Sequence, residues 1–183
     1  MRAVRVWRAG GVPLSMLDDL SSDLAALLRV TCRVESPRLE TDYAFDLARG
    51  QYHSTAILQR LVRQPSRGES LLAVTSGDLF VPVLTYVFGE AQVGGAAAVV
   101  SIHRLREEFY GLPSNAGLLR QRLLKEAMHE LGHVWGLRHC DDWRCVMATT
   151  HSAELIDVKE AGFCRECAWV LDGSEGAPLH RHG

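Results

Sequence analysis

The stretch HELGHVWGLRH, residues 129–139, constrains the fold more than any other part of this chain. His129 and His133 stand four apart, so a helix through them stacks both imidazoles on one face. Gly136 accepts a positive φ without steric penalty, which suits the residue just past a helix end. A turn there brings His139 back towards the pair. Three convergent imidazoles form a donor set for zinc, and three protein ligands leave the fourth tetrahedral position open to water. That open position distinguishes a catalytic zinc from a closed structural one. Glu130 sits where its carboxylate can act as general base on such a water. Gly132, inside the helix, costs about 1 kcal/mol relative to alanine. Close backbone approach and chance both remain open as its reason.

The helix carrying this motif is expected over residues 114–135, with Leu119, Leu123, Ala127, Leu131 and Val134 turned inward. Upstream, residues 4–7 alternate as a first strand, and residues 13–29 read as an amphipathic helix with Ser15 as a possible N-cap. Residues 30–34 are β-branched and alternating, a second strand that would pair in parallel with the first. Residues 36–53 are irregular. Ser54 and Thr55 precede a short amphipathic helix as plausible caps. Residues 71–75 read as a buried strand, and residues 84–88 and 96–101 as two more, joined in a hairpin-like way through Gly89, Gly94 and Gly95.

Four of the five cysteines fall between positions 140 and 167. Cys140 and Cys145 form a C-x4-C pair, and Cys164 and Cys167 a C-x-x-C pair, with 18 residues between the pairs. Together they can hold a second, structural zinc with no open position. The alternatives are two unrelated pairs, or a redox C-x-x-C, which belongs at a strand-to-helix junction of a thioredoxin-like unit. Cys32 stands alone and is read as a thiol without chemistry.

Composition sets the outer bounds. The 183 residues suit one domain, and 47% hydrophobic with 23% charged residues is a soluble, globular balance. A formal net charge of −2 gives no electrostatic case for nucleic acid or an anionic membrane surface. The N-terminus lacks the apolar run of a signal peptide, and no apolar stretch approaches the roughly 20 residues that span a bilayer. The expectation is a cytoplasmic protein without a membrane partner, its oligomeric state open. Residues 1–171 are expected to form the domain, including the cysteine segment 140–167, and residues 172–183 a mobile tail.

The extended histidine motif resembles the metzincin metallopeptidases, which carry a methionine turn beneath the metal; Met147 is the matching residue. With Cys140, Cys145, Cys164 and Cys167 added, the pattern is similar to the archaemetzincins. Two upstream stretches, residues 51–58 (QYHSTAIL) and residues 78–90, from DLFVP through FGE, are similar to that family as well. The resemblance implies a compact α/β domain with a mixed twisted sheet, an antiparallel edge strand that binds extended peptide, and a C-terminal part holding a four-cysteine zinc. Residues 84–88 are the expected edge strand. It further implies a hydrolase with two zinc ions per chain, cutting peptide or protein substrates with Glu130 as base. Some metzincins have a tyrosine two residues after the turn methionine; here Thr149 stands there. His151 and His103 are possible helpers, although an ordinary structural role outweighs that for each. Glu90 could anchor a free α-amino group, with a solvated turn residue the commoner reading. The alternative function is a zinc-containing peptide-binding or regulatory module with little or no turnover.

Overall fold

The computed structural model describes residues 2–173; the expected tail lies outside them from residue 174 onward. In chain order the elements are β1 (Ala3–Ala9), α1 (Leu14–Leu28), β2 (Thr31–Val34), β3 (Phe45–Asp46), β4 (Gln51–His53), α2 (Ser54–Leu61), β5 (Ser70–Thr75), β6 (Leu79–Phe80), β7 (Gly89–Ala91), β8 (Ala97–Ser101), α3 (Ala116–Val134), α4 (Ala153–Val158) and α5 (Arg165–Leu171).

The main sheet runs β2-β1-β5-β8-β7. Its first four strands are parallel, and β7 closes one edge antiparallel to β8. Parallel strands need cover on both faces, and the period-2 pattern supplies it. Val4, Val6, Leu72, Val74, Ala98 and Val100 point to one core, with Leu17, Leu20 and Leu24 of α1 and Leu123, Ala127 and Leu131 of α3. The intervening Trp7, Leu71, Ala73, Ala97 and Val99 point to the other, against Ile57, Leu58 and Leu61 of α2. The molecule is thus a mixed α/β domain in three layers. No helix among the described residues is long and apolar enough to cross a membrane.

Four local expectations are corrected. Ser15 lies inside α1, whose N-cap is Pro13 without a side-chain bond. Ser54 and Thr55 do not cap α2, because Ser54 already belongs to the helix and both hydroxyls bond the Glu90 carboxylate instead. Residues 84–88 form no ladder strand: only Val87 makes an isolated bridge, to Leu79. The antiparallel edge strand is Gly89–Ala91, with Glu90 opposite Val99. The apolar character of residues 84–88 reflects a cleft wall, while the strand itself is built of residue types that propensity disfavours. Finally, residues 45–53 contribute β3 and β4 to a second, three-stranded sheet, β3-β4-β6, whose two- and three-residue strands are too short for a periodic signal.

Candidate metal centre

Asn115 caps α3, its side chain accepting from the Leu118 N–H at 3.0 Å. The helix then runs beneath the sheet edge and is buried over most of its second half. His129 and His133 share one face, their rings edge-to-face with centroids 4.7 Å apart. Gly136, at φ +94°, turns the chain past the helix end as expected. His139 then lies with its ring centroid 5.3 Å from that of His129 and 4.9 Å from that of His133.

Two backbone carbonyls set the tautomers. His129 Nδ1 lies 2.8 Å from the Val146 carbonyl oxygen, and His133 Nδ1 2.8 Å from that of Leu137. A carbonyl only accepts, so each Nδ1 carries the proton and each Nε2 lone pair is free. The two Nε2 atoms are 3.1 Å apart. Tetrahedral zinc with Zn–N bonds of about 2.0–2.1 Å needs ligand nitrogens separated by roughly 3.4 Å, so the pair fits such an ion after a small adjustment. One ligand atom from each of the three histidines lies within 4.8 Å of the others. Burial, with the Lys159 cation nearby, holds His129 down to about 3, and burial lowers His133 and His139 too. Neutral imidazoles are what a metal requires.

Glu130 is buried on the cleft floor beside these rings. Burial pushes its carboxyl well above the usual range, and the carboxylates of Glu126 and Glu90 push the same way. Gly89 of β7 permits the approach: a Cβ there would stand 2.7 Å from Glu130 Oε1 and 2.8 Å from the Val99 oxygen. Gly132 has a similar reason. A Cβ on it would fall on the Met147 sulfur and 3.1 Å from the Phe163 ring, so close approach settles the question its presence raised. Met147 itself is fully buried.

The cleft has a volume of about 530 Å³. One wall is the rim at residues 84–89, the floor carries Glu126, Glu130 and the histidines, and Thr149, Thr150 and His151 form the opposite wall. Arg104 braces the rim: it donates two 2.7 Å bonds to Asp78 and lays its guanidinium 4.0 Å over the Tyr86 ring. The Tyr86 hydroxyl reaches across to donate to the His151 carbonyl. His103 does not line the cleft; it packs against Phe109. Glu90 is no solvated turn residue either, being half-buried in β7 and accepting bonds from Ser54 and Thr55.

The four cysteines of the second group also come together. Cys140 Sγ lies 3.7 Å from Cys164 Sγ, and Cys145 Sγ 3.8 Å from Cys167 Sγ. These separations exceed a disulfide bond of about 2.05 Å. They match the roughly 3.8 Å edge of a tetrahedron with 2.3 Å Zn–S bonds. The backbone N–H groups of Met147 and Cys164 donate to Cys145 Sγ. Burial, with neighbouring thiols, pushes Cys140 up to about 11 and Cys167 higher, so these two need a cation to become thiolates. At Cys164 burial is outweighed by hydrogen bonds from the surrounding cysteines, which lower it. Cys32 is half-buried on β2, apart from this group.

Sequence reasoning missed Glu126, Tyr86 and Lys159. Glu126 stands one helical turn before Glu130 and could have been placed on the same face. Lys159 reaches it from 33 residues away, a pairing that no local pattern encodes.

The family model of Peptidase family M54 matches residues 22–172. The chain belongs to this family. Among its M54 relatives is the archaemetzincin of Methanocaldococcus jannaschii, 46% identical over 125 residues, or 68% of each chain. That of Pyrococcus furiosus is 37% identical over 170 residues, 89% of this chain and 88% of the relative. The crystal structure of the Methanopyrus kandleri archaemetzincin superposes with a TM-score of 0.81 at 34% identity, covering 94% of each chain. A zinc-dependent peptidase of Methanocorpusculum labreanum gives 0.84 at 30% identity, covering 92% of this chain and 99% of its own. With the three-histidine cleft, M54 membership makes this protein a metallopeptidase.

Proposed function

We propose that the chain hydrolyses peptide bonds at a zinc ion held by His129, His133 and His139, with Glu130 as general base, and that Cys140, Cys145, Cys164 and Cys167 hold a second, structural zinc. The observation that carries this reading is the convergence of three imidazoles, two of them with Nε2 left free by a carbonyl at Nδ1, beside a buried carboxylate in one cleft. The zinc-dependent relative supports the choice of metal.

A zinc ion bound there would lower the pKa of its water towards neutrality and polarise the scissile carbonyl. The chain's own residues do the rest. The outer side of β7, at Gly89–Ala91, offers unpaired backbone groups on which an extended peptide can add as a strand. Glu130 takes the proton from the attacking water at its carboxylate oxygen and hands it to the nitrogen of the departing amine. Burial favours the protonated carboxyl and so favours holding that proton between the two steps. Residues 1–171 form the catalytic unit in this reading, with Met147 packed beneath the histidines.

The test is mass spectrometry of a diverse peptide mixture incubated with zinc-loaded protein and with Glu130→Gln. Glutamine is nearly isosteric and cannot accept the proton, so zinc content and thermal stability should hold. Cleavage should fall by about 10²- to 10⁴-fold, the scale of losing a general base. A variant that cleaves at the wild-type rate would remove Glu130 from the role. Thr149, in place of a tyrosine, favours the second reading, a peptide-binding module with little turnover. That reading is supported if neither form cleaves while both bind peptide equally.

A further inference from the structure

Lys159 is one of the buried charges that the proposed mechanism leaves unused. Its side chain is 1% exposed, and an ammonium persists at such depth only when it is paired or hydrogen-bonded. Its Nζ donates to the Val146 carbonyl at 3.2 Å and lies 3.9 Å from Glu126 Oε1. The same Val146 oxygen accepts from His129 Nδ1 at 2.8 Å. A carbonyl oxygen has two lone pairs, and both are engaged here, one by the imidazole and one by the ammonium. The surrounding backbone is anchored on both sides. Arg122 of α3 holds Asp157 through two 2.7 Å bonds, and Lys125 Nζ donates to the Ile156 and Asp157 carbonyls. The Glu160 N–H donates to the Arg144 carbonyl and the Val146 N–H to that of Gly162.

We propose that Lys159 is a positioning residue for His129: by engaging the Val146 carbonyl it fixes the oxygen that orients the imidazole, keeping Nε2 aimed at His133 and His139. The proposal rests on the reading that these histidines hold a metal. Val146 stands between Cys145 and Met147, so the contact also ties the histidine group to the cysteine segment. Glu126 supplies the counter-charge that lets the ammonium stay buried. Outer partners of this kind typically shift metal affinity by about 10- to 100-fold.

The test compares Lys159→Met, Lys159→Arg and the double variant Lys159→Met/Glu126→Gln in the full chain. The double variant is included because Lys159→Met alone leaves Glu126 buried without its counter-charge. Two readouts are taken after brief chelation has emptied the histidine group. Imidazole ¹⁵N NMR follows the His129 Nδ1–H, which its hydrogen bond should protect from exchange. Titration with cobalt(II) against a competing chelator gives the affinity of the histidine group. Lys159→Met and the double variant should lose the protected signal and bind cobalt about 10- to 100-fold more weakly, while Lys159→Arg keeps most of both. If Lys159→Met does not fold, the double variant decides. Wild-type signal and affinity in the double variant would overturn the proposal and leave Lys159 as a counter-ion of Glu126 alone. A wild-type chain that shows the protected proton but takes up no cobalt would overturn the metal reading instead, and the NMR comparison would then judge Lys159 by itself.

Discussion

An alanine in place of Gly132 would gain up to about 1 kcal/mol of helix propensity. Its methyl group would also land on the Met147 sulfur, in a part of the core with Phe163 on the other side. Overpacking of this kind costs about 1–3 kcal/mol, because neither the buried methionine nor the helix backbone can move freely. Gly132→Ala is therefore expected to be a net destabilisation, measured as a lower midpoint in urea with an unchanged slope. A midpoint at or above that of the wild type would show that Met147 yields. Glu130 is different in kind, since its replacement by glutamine should leave the fold alone and remove only the proton transfer.

At the scale of elements, α5 is held to the rest of the chain by thiols as well as by packing. Cys164 is its N-cap residue and Cys167 lies one turn in, each within 4 Å of a cysteine from the segment after α3. Replacing both with serine should free α5, read by hydrogen exchange as lost protection across residues 140–170, while the two sheet cores stay protected. Unchanged protection would count against a shared metal. The elements also show why some of the site was legible in advance and some was not. The histidines and cysteines lie close together in sequence at spacings that a helix and a turn convert directly into geometry, so the convergence seen among them followed from the residues alone. β7 did not, because Gly89-Glu90-Ala91 contains none of the β-branched or aromatic residues that mark a strand. Its place is fixed by Val99 opposite and Glu130 below. The hydroxyls of Ser54 and Thr55 looked like helix caps because nothing local shows that Glu90 will claim them.

For the whole molecule, the two donor groups differ in how far they are closed. Four thiols lie around one centre, those of Cys145 and Cys167 buried, whereas the three histidines open onto the cleft and His139 is exposed. Fully loaded protein should carry two zinc ions per chain, and brief chelation should remove the one at the histidines first. Metal analysis before and after chelation would show two equivalents falling to one. One equivalent at the start, or loss of both together, would contradict the two-centre reading.

Gly89 limits how such a cleft can be varied, by evolution or by design. The strand position nearest the base is the obvious place to install a new preference for substrate, yet a single methyl group there would displace Glu130 or part β7 from β8. New selectivity must come from the flanking walls, where Leu84, Thr85, Thr149 and Thr150 line the same space and can change without moving the base.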